Sequence, residues 1–261
     1  MALHKKEYPI LEFDTDRSAV IEPHLFYEKG DAPRHCVITF FREVIERKRA
    51  EGSLTQIAEL GCEMLKIPIY ETVCEGKRIC LVQGFVGSAG AAAFLEELIA
   101  FGCGLFMVCG GAGVLRPDIA VGHLMVPYTA VRDEGVSYHY IEPSREISCD
   151  PGVVDAVERE LTRSSIPYIK AKTWTTDAFY RETRDKVALR VSEGCVCVEM
   201  EAAAFFAVAQ FRGVRLGQVL YGGDDLSGEA WDGREWNDRT DVRENLVDLS
   251  MKICLRIRDY R

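Results

Sequence analysis

The stretch CVEMEAAAFF, from Cys197 to Phe206, places two glutamates around a methionine and then enters an apolar run. Acids in the first turn of a helix are favoured by the helix dipole, so Glu199 and Glu201 fit an ordinary helix start. The same pattern also fits a ligand site, in which carboxylates accept hydrogen bonds from vicinal hydroxyls and Met200 adds an apolar contact. The surrounding sequence decides between the two interpretations.

Short apolar runs alternate with helical patterns on both sides of this stretch. Such alternation predicts an α/β sandwich with a largely parallel or mixed sheet. We predict strands over Arg78–Gly87, Gly104–Gly113, Gly122–Arg132 and Arg215–Gly228, and helices over Val37–Gly52, Ala91–Gly102, Glu199–Gly213 and Val242–Ile257.

Three of the predicted strands end in glycine-rich sequence: GFVGSAG, CGGAGVLRPD and GGDDLSG. In open α/β sheets ligands bind outside the carboxyl ends of the strands, so we expect these three ends to converge. Glycines there allow sharp turns and expose N–H groups to an anion or a sugar. Neither of the first two matches a dinucleotide fingerprint or a P-loop, and tight turns without a ligand remain the alternative for each.

Composition narrows the class of partner. The chain has 261 residues and a formal net charge of −9, which disfavours broad attraction to nucleic acid or to an anionic membrane. Its start lacks the apolar core of a signal peptide, and no apolar run reaches the length of a membrane span. The ten cysteines form no C-x-x-C pair and mostly lie in apolar runs, which predicts reduced, buried thiols, no metal site and a cytoplasmic location.

The segment TWTTDAFYRET, Thr173–Thr183, sets two aromatic residues beside Asp177. That combination suits stacking on a flat ring, although core aromatics and a helix cap explain it equally simply. The acids of GGDDLSG follow the last predicted strand, a position that suits a catalytic acid or an ordinary turn.

Taken in order, the glycine-rich strand ends, DAFY, VEMEAAA and the acid after the next strand resemble the nucleoside phosphorylase-I family. The resemblance covers nearly the whole chain and is closest from Gly84 to Asp225. It implies a single domain over residues 1–261 with a three-layer α/β/α sandwich and a central mixed β-sheet. The implied activity is cleavage of the N-glycosidic bond of a nucleoside by phosphorolysis, without a cofactor and with phosphate as co-substrate.

The resemblance also implies roles for single residues. Met200 would pack on the ribose and Glu201 would accept hydrogen bonds from its 2′ and 3′ hydroxyls, with Glu199 as a weaker match. His4 would reach the 5′ end of a nucleoside held by a neighbouring subunit. The implied assembly is a homodimer or a hexamer built as a trimer of dimers.

At the base, Phe179 would stack on the ring, with Asp177 organising polar groups beside it. Asp224, counted from the Met-Glu pair, matches the acid with which purine-cleaving members assist the leaving base. The segment after Phe179 lacks the glutamine with which uridine phosphorylases hold uracil. A purine base is therefore favoured.

The phosphate site departs from the family pattern. Gly87, Gly111 and Arg17 match phosphate-binding positions, but the second arginine is replaced by Val108. Arg116 and Arg132 are candidates to compensate for that loss. A nucleosidase that uses water, or a nucleoside-binding homologue without turnover, therefore stays open, as does a lid role for the polar loop 227–241.

Overall fold

The computed structural model describes residues 3–27 and 30–259. Its helices and strands follow one another along the chain with short connections. The strands are β1 His35–Thr39, β2 Thr55–Gly61, β3 Lys66–Cys74, β4 Lys77–Gln83, β5 Leu105–Val114, β6 Leu124–Asp133, β7 Glu146–Ser148, β8 Tyr168–Thr176, β9 Cys195–Glu199 and β10 Arg215–Asp225. The helices are α1 Arg42–Ala50, α2 Ser88–Phe101, α3 Pro151–Arg163, α4 Arg184–Ser192, α5 Ala202–Arg212 and α6 Thr240–Cys254.

The strands form one mixed sheet with an open half and a closed half. In the open half β5, β1 and β4 are parallel neighbours, and β3 and β2 continue antiparallel. In the closed half β5 pairs with β10, β10 with β6, β6 with β8, β8 with β9, and β9 with β5 again. The second set of pairings closes into a ring of five strands, with β5 shared by both halves.

Helices cover the sheet in two groups. α2 packs against α5, and α5 also contacts β6, β8 and β10. α6 contacts β1 and β5 and packs against α1 and α3. The predicted fold class, a layered α/β protein with a central mixed sheet, is confirmed.

The helix predicted over Val37–Gly52 is wrong in its first part. The chain forms β1 up to Thr39 and begins α1 only at Arg42. The segment Cys36–Ile38 is almost wholly buried in β1, whose backbone pairs with β4 on one side and β5 on the other. Its β-branched residues Val37 and Ile38 favour such a central, extended position.

The helix predicted to begin at Glu199 begins three residues later. Glu199 instead ends β9, a short strand that the sequence pattern did not reveal, and α5 starts at Ala202. Its C-terminal end is as predicted, because Gly213 adopts the left-handed conformation that closes the helix at Arg212. Met200 and Glu201 therefore lie in a turn between a strand and a helix.

The cysteines are packed as predicted. Nine of the ten are buried, and Cys62 alone is exposed. Within residues 3–27 and 30–259, none of the helices has the length and apolar character needed to cross a membrane.

Candidate active site

The three glycine-rich strand ends meet at one cavity of about 880 Å³. Val86 follows β4, Gly111–Gly113 lie at the end of β5, and Asp224 lies at the end of β10. The convergence predicted from the sequence is therefore confirmed. The remaining lining residues come from the segment after β8, the end of β9 and the loop after β10: Phe179, Tyr180, Glu182, Thr183, Arg184, Val187, Val198, Glu199, Met200, Leu226, Trp231 and Trp236.

The Met200–Glu201 turn is fastened to the start of α2 by two hydrogen bonds. The Gly87 N–H donates to Glu201 Oε1 at 2.7 Å, and Ser88 Oγ donates to the Met200 carbonyl oxygen at 2.6 Å. Gly87 has a φ of 94°, a conformation that glycine adopts without strain. The two turns that the sequence marked separately thus form one rigid unit. Sequence reasoning missed Ser88, although it directly follows the glycine of GFVGSAG.

Glu199 is held by the protein itself. Its Oε1 accepts from Thr175 Oγ1 at 2.6 Å, and its Oε2 accepts from the backbone N–H groups of Glu201 at 2.8 Å and Ala202 at 2.6 Å. The N–H groups of Glu201 and Ala202 have no carbonyl partner within α5, because they lie at its start, and the Glu199 carboxylate accepts hydrogen bonds from both. Glu199 therefore orders the start of α5, as one of the two sequence interpretations held.

Glu199 and Glu201 are both buried, with 6% of each residue exposed. Burial raises the pKa of Glu199, and its hydrogen bonds oppose that change. Burial and then the charge of Glu199 raise the pKa of Glu201. Only the Gly87 N–H lowers it through a hydrogen bond from outside the turn. Glu201 is thus a buried acceptor with few hydrogen-bond donors around it, so hydrogen bonds from the hydroxyl groups of a ligand would stabilise it.

Aromatic residues and an acid form the other end of the cavity. The rings of Phe179 and Tyr180 lie 4.1 Å apart between centroids, and 49% of Phe179 is exposed. Opposite, Asp224 Oδ2 accepts a hydrogen bond from Trp231 Nε1 at 2.7 Å. This end offers flat apolar surfaces and a carboxylate, which is the surface that a heterocyclic base requires.

Glu182 also lines this end, and the sequence did not single it out. Burial and the negative charge of Asp224 raise the pKa of Glu182 to about 7, while Lys186 lowers it. Within the described residues its carboxylate makes neither a hydrogen bond nor an ion pair. The signal that could have identified it is its place three residues after the aromatic Phe179.

Near β4 and β5 the cavity is lined by Val86 and Gly111–Gly113, which carry no charge, while Val108 and Phe40 do not line it. Val108 is fully buried within β5. The Phe40 ring packs between the ends of β4 and β5, so close that a Cβ on Gly84 or Gly110 would come within 2.8 or 2.9 Å of it. Arg184 is the only cationic side chain among the described lining residues, and it donates to the carbonyl oxygens of Leu226 and Glu229.

Five predicted site residues do not line the cavity in the protomer described. Glu201 and Gly87 are hydrogen-bonded to each other directly beside the lining residues Met200 and Val86, whereas Arg17, His4 and Asp177 lie away from the cavity. The Arg17 guanidinium lies 4.7 Å from the centre of the Phe211 ring, near the end of α5 opposite to Glu201. His4 is exposed and does not line the cavity. Asp177 accepts a hydrogen bond from the Gly135 N–H at 2.8 Å and borders a separate, shallower depression.

The two arginines considered as replacements for a phosphate ligand are engaged elsewhere. Arg116 Nε donates to Asp118 Oδ1 at 2.9 Å. Arg132 is buried and donates to Ser137 Oγ at 2.8 Å and to Ser144 Oγ at 2.7 Å. The structure therefore does not bring either of them to the cavity.

The loop 227–241 forms one wall of the cavity through Trp231 and Trp236. Arg234 anchors the loop, because its Nε donates to the Gly223 carbonyl oxygen and its Nη1 to that of Ile119, both at 2.9 Å. Trp231 is 64% exposed, so the tip of the loop is loosely packed while its base is fixed.

The sequence profile of the Phosphorylase superfamily matches residues 35–257. The chain is 26% identical to a guanosine phosphorylase of Halorubrum lacusprofundi, over 76% of this chain and 81% of that protein. It is 24% identical to a purine nucleoside phosphorylase of Plasmodium falciparum, over 70% and 76% of the two chains. A crystal structure of uridine phosphorylase from Vibrio fischeri superposes with a TM-score of 0.72 at 21% identity, over 90% and 95% of the chains. The protein therefore belongs to the phosphorylase superfamily.

Proposed function

We propose that this protein is an enzyme that cleaves the N-glycosidic bond of a purine nucleoside by phosphorolysis, releasing the free base and ribose 1-phosphate. The observation that carries the proposal is that one cavity is lined by Met200, Phe179 and Asp224, with Glu201 directly after Met200 in a turn that is hydrogen-bonded to Gly87. The superfamily match and the phosphorylases among the relatives support the same reaction.

In this proposal the ribose lies against Met200, and its 2′ and 3′ hydroxyls donate to the Glu201 carboxylate. The sugar gains positive charge as the C1′–N bond weakens, which a nearby carboxylate tolerates. Glu199 positions the turn from behind through the backbone N–H groups of Glu201 and Ala202.

The base would stack on Phe179 and present its imidazole nitrogen to Asp224. The electron pair of the breaking bond moves onto the base, and Asp224, entering this step as the carboxylic acid, gives its proton to the imidazole nitrogen of the base and is left as the carboxylate. Trp231 holds the Asp224 carboxylate, so the base must share or displace the indole N–H donor. An oxygen of phosphate forms the new bond to C1′, on the face of the ribose opposite to the departing base.

Hydrolysis is a second candidate, favoured by the shortage of free cationic groups in the cavity. Arg184 is the one cationic side chain among the described lining residues, and it already donates to the carbonyl oxygens of Leu226 and Glu229. Few groups are therefore available to bind a dianion. Water needs no such cationic site. In that reaction the products are the free base and ribose.

One experiment distinguishes the two reactions. The protein is incubated with guanosine, inosine, adenosine, uridine and cytidine, with and without phosphate, and both the base and the sugar product are quantified. Phosphorolysis predicts purine release that requires phosphate and yields ribose 1-phosphate. Release of base with free ribose in phosphate-free buffer would establish hydrolysis instead. Saturable binding without any release would contradict both.

The proposed working unit is a homodimer or a trimer of dimers. In the described protomer, His4 and Arg17 do not line the cavity. Both belong to the N-terminal segment, which exposes apolar residues such as Val20 and Ile21. Sedimentation equilibrium tests the assembly, and a monomer with full activity would contradict it.

A further inference from the structure

A second cavity, of about 1040 Å³, lies at the edge of the sheet opposite to the candidate active site. Its lining includes the first residues of four strands, namely His35 of β1, Lys77 of β4, Leu105 of β5 and Arg215 of β10. β1 is parallel to β4 and β5, and β5 is parallel to β10, so all four strands begin at this edge. The other ends of β4, β5 and β10 lead into the candidate active site, and no described residue lines both cavities. The two cavities are therefore separate.

The second cavity is basic, although the chain as a whole is acidic. Six cationic side chains and two carboxylates are among its described lining residues, whereas the formal net charge of the chain is −9. These charged residues are Lys77, Arg159, Arg163, Arg215, Arg256, Arg258, Glu160 and Asp259. A concave surface lined mainly by one sign of charge concentrates the electrostatic field and attracts ions of the opposite sign. The cavity is therefore suited to an anion.

Two of the arginines are held in place by acids of the protein. Glu160, of which 4% is exposed, accepts hydrogen bonds from Arg163 Nη2 at 2.6 Å and from Arg256 Nε at 3.3 Å. Arg256 also forms an ion pair with Glu75 at 2.8 Å. These contacts fix the two guanidinium groups, and they leave the positive charge of the cavity to its other cations.

Three of those other cations have no such partner. Arg215 pairs with Asp150, but the side chains of Lys77, Arg159 and Arg258 make neither a hydrogen bond nor an ion pair with the residues that the structure describes. They belong to three different elements, because Lys77 begins β4, Arg159 lies on α3 and Arg258 follows α6. Unpaired cations from separate parts of the chain thus line one concave surface.

Phosphate groups fit this arrangement of cations. Each phosphate presents several acceptor oxygens, to which guanidinium groups donate paired, charge-assisted hydrogen bonds. A single phosphate fills only a small part of a cavity of about 1040 Å³. A chain of two or three phosphates is longer and can contact cations from more than one element. Small molecules bind in concave sites of this size.

We propose that the second cavity is a binding site for a polyphosphate, either inorganic or the phosphate chain of a nucleotide, with Arg159, Arg258 and Lys77 as its main ligands. Arg163 and Arg256 form the fixed part of the same wall. The site is independent of the proposed function, because it lies at the other edge of the sheet. An RNA partner is disfavoured by the concave shape of the site and by the net charge of −9.

Titration calorimetry of the intact protein at constant ionic strength tests the proposal with inorganic triphosphate, ATP and orthophosphate. Triphosphate should bind with a Kd below about 1 mM and at least about 10-fold more tightly than orthophosphate, since it contacts more cations. Equal binding of ATP would identify the phosphate chain as the recognised group, and tighter binding of ATP would add its nucleoside part as a contact. Absence of binding by both triphosphate and ATP in this range, or equal binding of orthophosphate and triphosphate, would overturn the proposal.

Substitutions locate the bound anion. Arg159→Gln and Arg258→Gln should each weaken triphosphate binding by about 10-fold, because each removes a charge and the hydrogen bonds of a guanidinium group. Arg49→Gln is the matched control, since it makes the same change at an exposed arginine of α1 that lines neither cavity, and it should leave binding unchanged. Thermal melts of these variants should coincide with the wild type, because all three arginines are exposed. Lys77→Gln repeats the test from β4 if an arginine variant does not fold.

Two further measurements distinguish this site from other sources of binding. Arg184→Gln removes the cationic lining residue of the candidate active site and should leave triphosphate binding unchanged. Binding that weakens in Arg184→Gln and not in Arg159→Gln would place triphosphate in the candidate active site and overturn the proposal. Tighter binding of a short RNA than of triphosphate, lost in the same arginine variants, would make the cavity a nucleic-acid contact instead. A lack of nucleoside cleavage would bear on the proposed function alone, because calorimetry measures binding without turnover.

Discussion

Replacing Glu201 by glutamine should destroy activity and stabilise the fold at neutral pH. Glu201 is buried, and burial together with the charge of Glu199 raises its pKa from 4.5 to about 8. Among the described residues its one partner in a neighbouring element is the Gly87 N–H, to which a glutamine oxygen still provides an acceptor. The substitution therefore retains the hydrogen bond and removes the free-energy cost of keeping this buried carboxyl protonated at a pH at which the unfolded chain ionises it.

The direction in which stability changes with pH follows from the raised pKa of Glu201. Between pH 4.5 and 8 the folded chain retains a proton that the unfolded chain loses, so the stability of the wild-type protein falls as pH rises through this window. At pH 7 the loss is about 3 kcal/mol, because each tenfold difference in proton affinity is worth about 1.4 kcal/mol. Glutamine does not titrate. The difference in stability between Glu201→Gln and the wild-type protein should therefore grow from pH 4.5 upward and level off above pH 8.

Thermal melts at pH 4.5, 6, 7 and 8 measure the effect. For a chain of this size, 3 kcal/mol corresponds to a rise of about 5–10 °C in Tm at pH 7. Cleavage of the nucleoside should fall by about 100-fold or more, because glutamine offers one acceptor oxygen to the two ribose hydroxyls and cannot ionise as the sugar gains positive charge. Activity on the 2′-deoxynucleoside should fall less if the 2′ hydroxyl is the main partner of Glu201.

Glu199→Gln is the matched control, with the same change two residues away. Its carboxylate satisfies two backbone N–H groups and the Thr175 hydroxyl, and an amide cannot accept all three. It should lower stability by about 1–2 kcal/mol. A Glu201→Gln protein that is less stable than the wild type at pH 7, or a Tm difference that does not change with pH, would refute the reasoning.

Three further substitutions test the remaining parts of the site. Asp224→Asn should lower kcat for purine nucleosides by about 100-fold or more, because the amide cannot give a proton to the leaving base; unchanged single-turnover rates would remove Asp224 from the mechanism. Ser88→Ala breaks the link to Met200 and should raise KM several-fold while costing about 1 kcal/mol in urea denaturation; equal KM values would show that the turn holds without it. Phe40→Ala removes the ring that packs against Gly84 and Gly110 at the ends of β4 and β5, and should cost about 3–5 kcal/mol of stability. Urea denaturation also measures this loss of stability. A loss below about 1 kcal/mol would show that Phe40 does not pack as described.

The sequence was most informative about the site where glycines or acidic residues follow the end of a strand. The turns after β4, β5 and β10 could be located, and their convergence predicted, because parallel neighbours end on one edge of a sheet. The pattern also placed Met200 and Glu201 beside that edge. The sequence pattern does not show which strands pair with one another, so the pairing of β9 with β5 could not be predicted.

Short elements were the least predictable. The five residues of β9 contain no turn signal that separates them from the helix ahead, so Glu199 was assigned to α5. β1 was assigned to the helix α1 because only the apolar residues Phe40 and Phe41 connect them, without a glycine or proline to mark a turn. Glu182 was overlooked for a different reason. Its importance lies in missing partners and in the charge of Asp224, which are properties of the folded molecule.

The ring of five strands also determines which parts of the site can move. Gly111, Asp224 and Glu199 lie on strands whose neighbours form a closed circuit, so no strand can shift without breaking pairings on both sides. The Phe179–Arg184 segment and the tip of loop 227–241 lie outside that circuit and carry the exposed aromatic rings. Adjustment to a ligand therefore falls to the two aromatic walls, while the strand ends that carry Gly111, Asp224 and Glu199 stay preorganised.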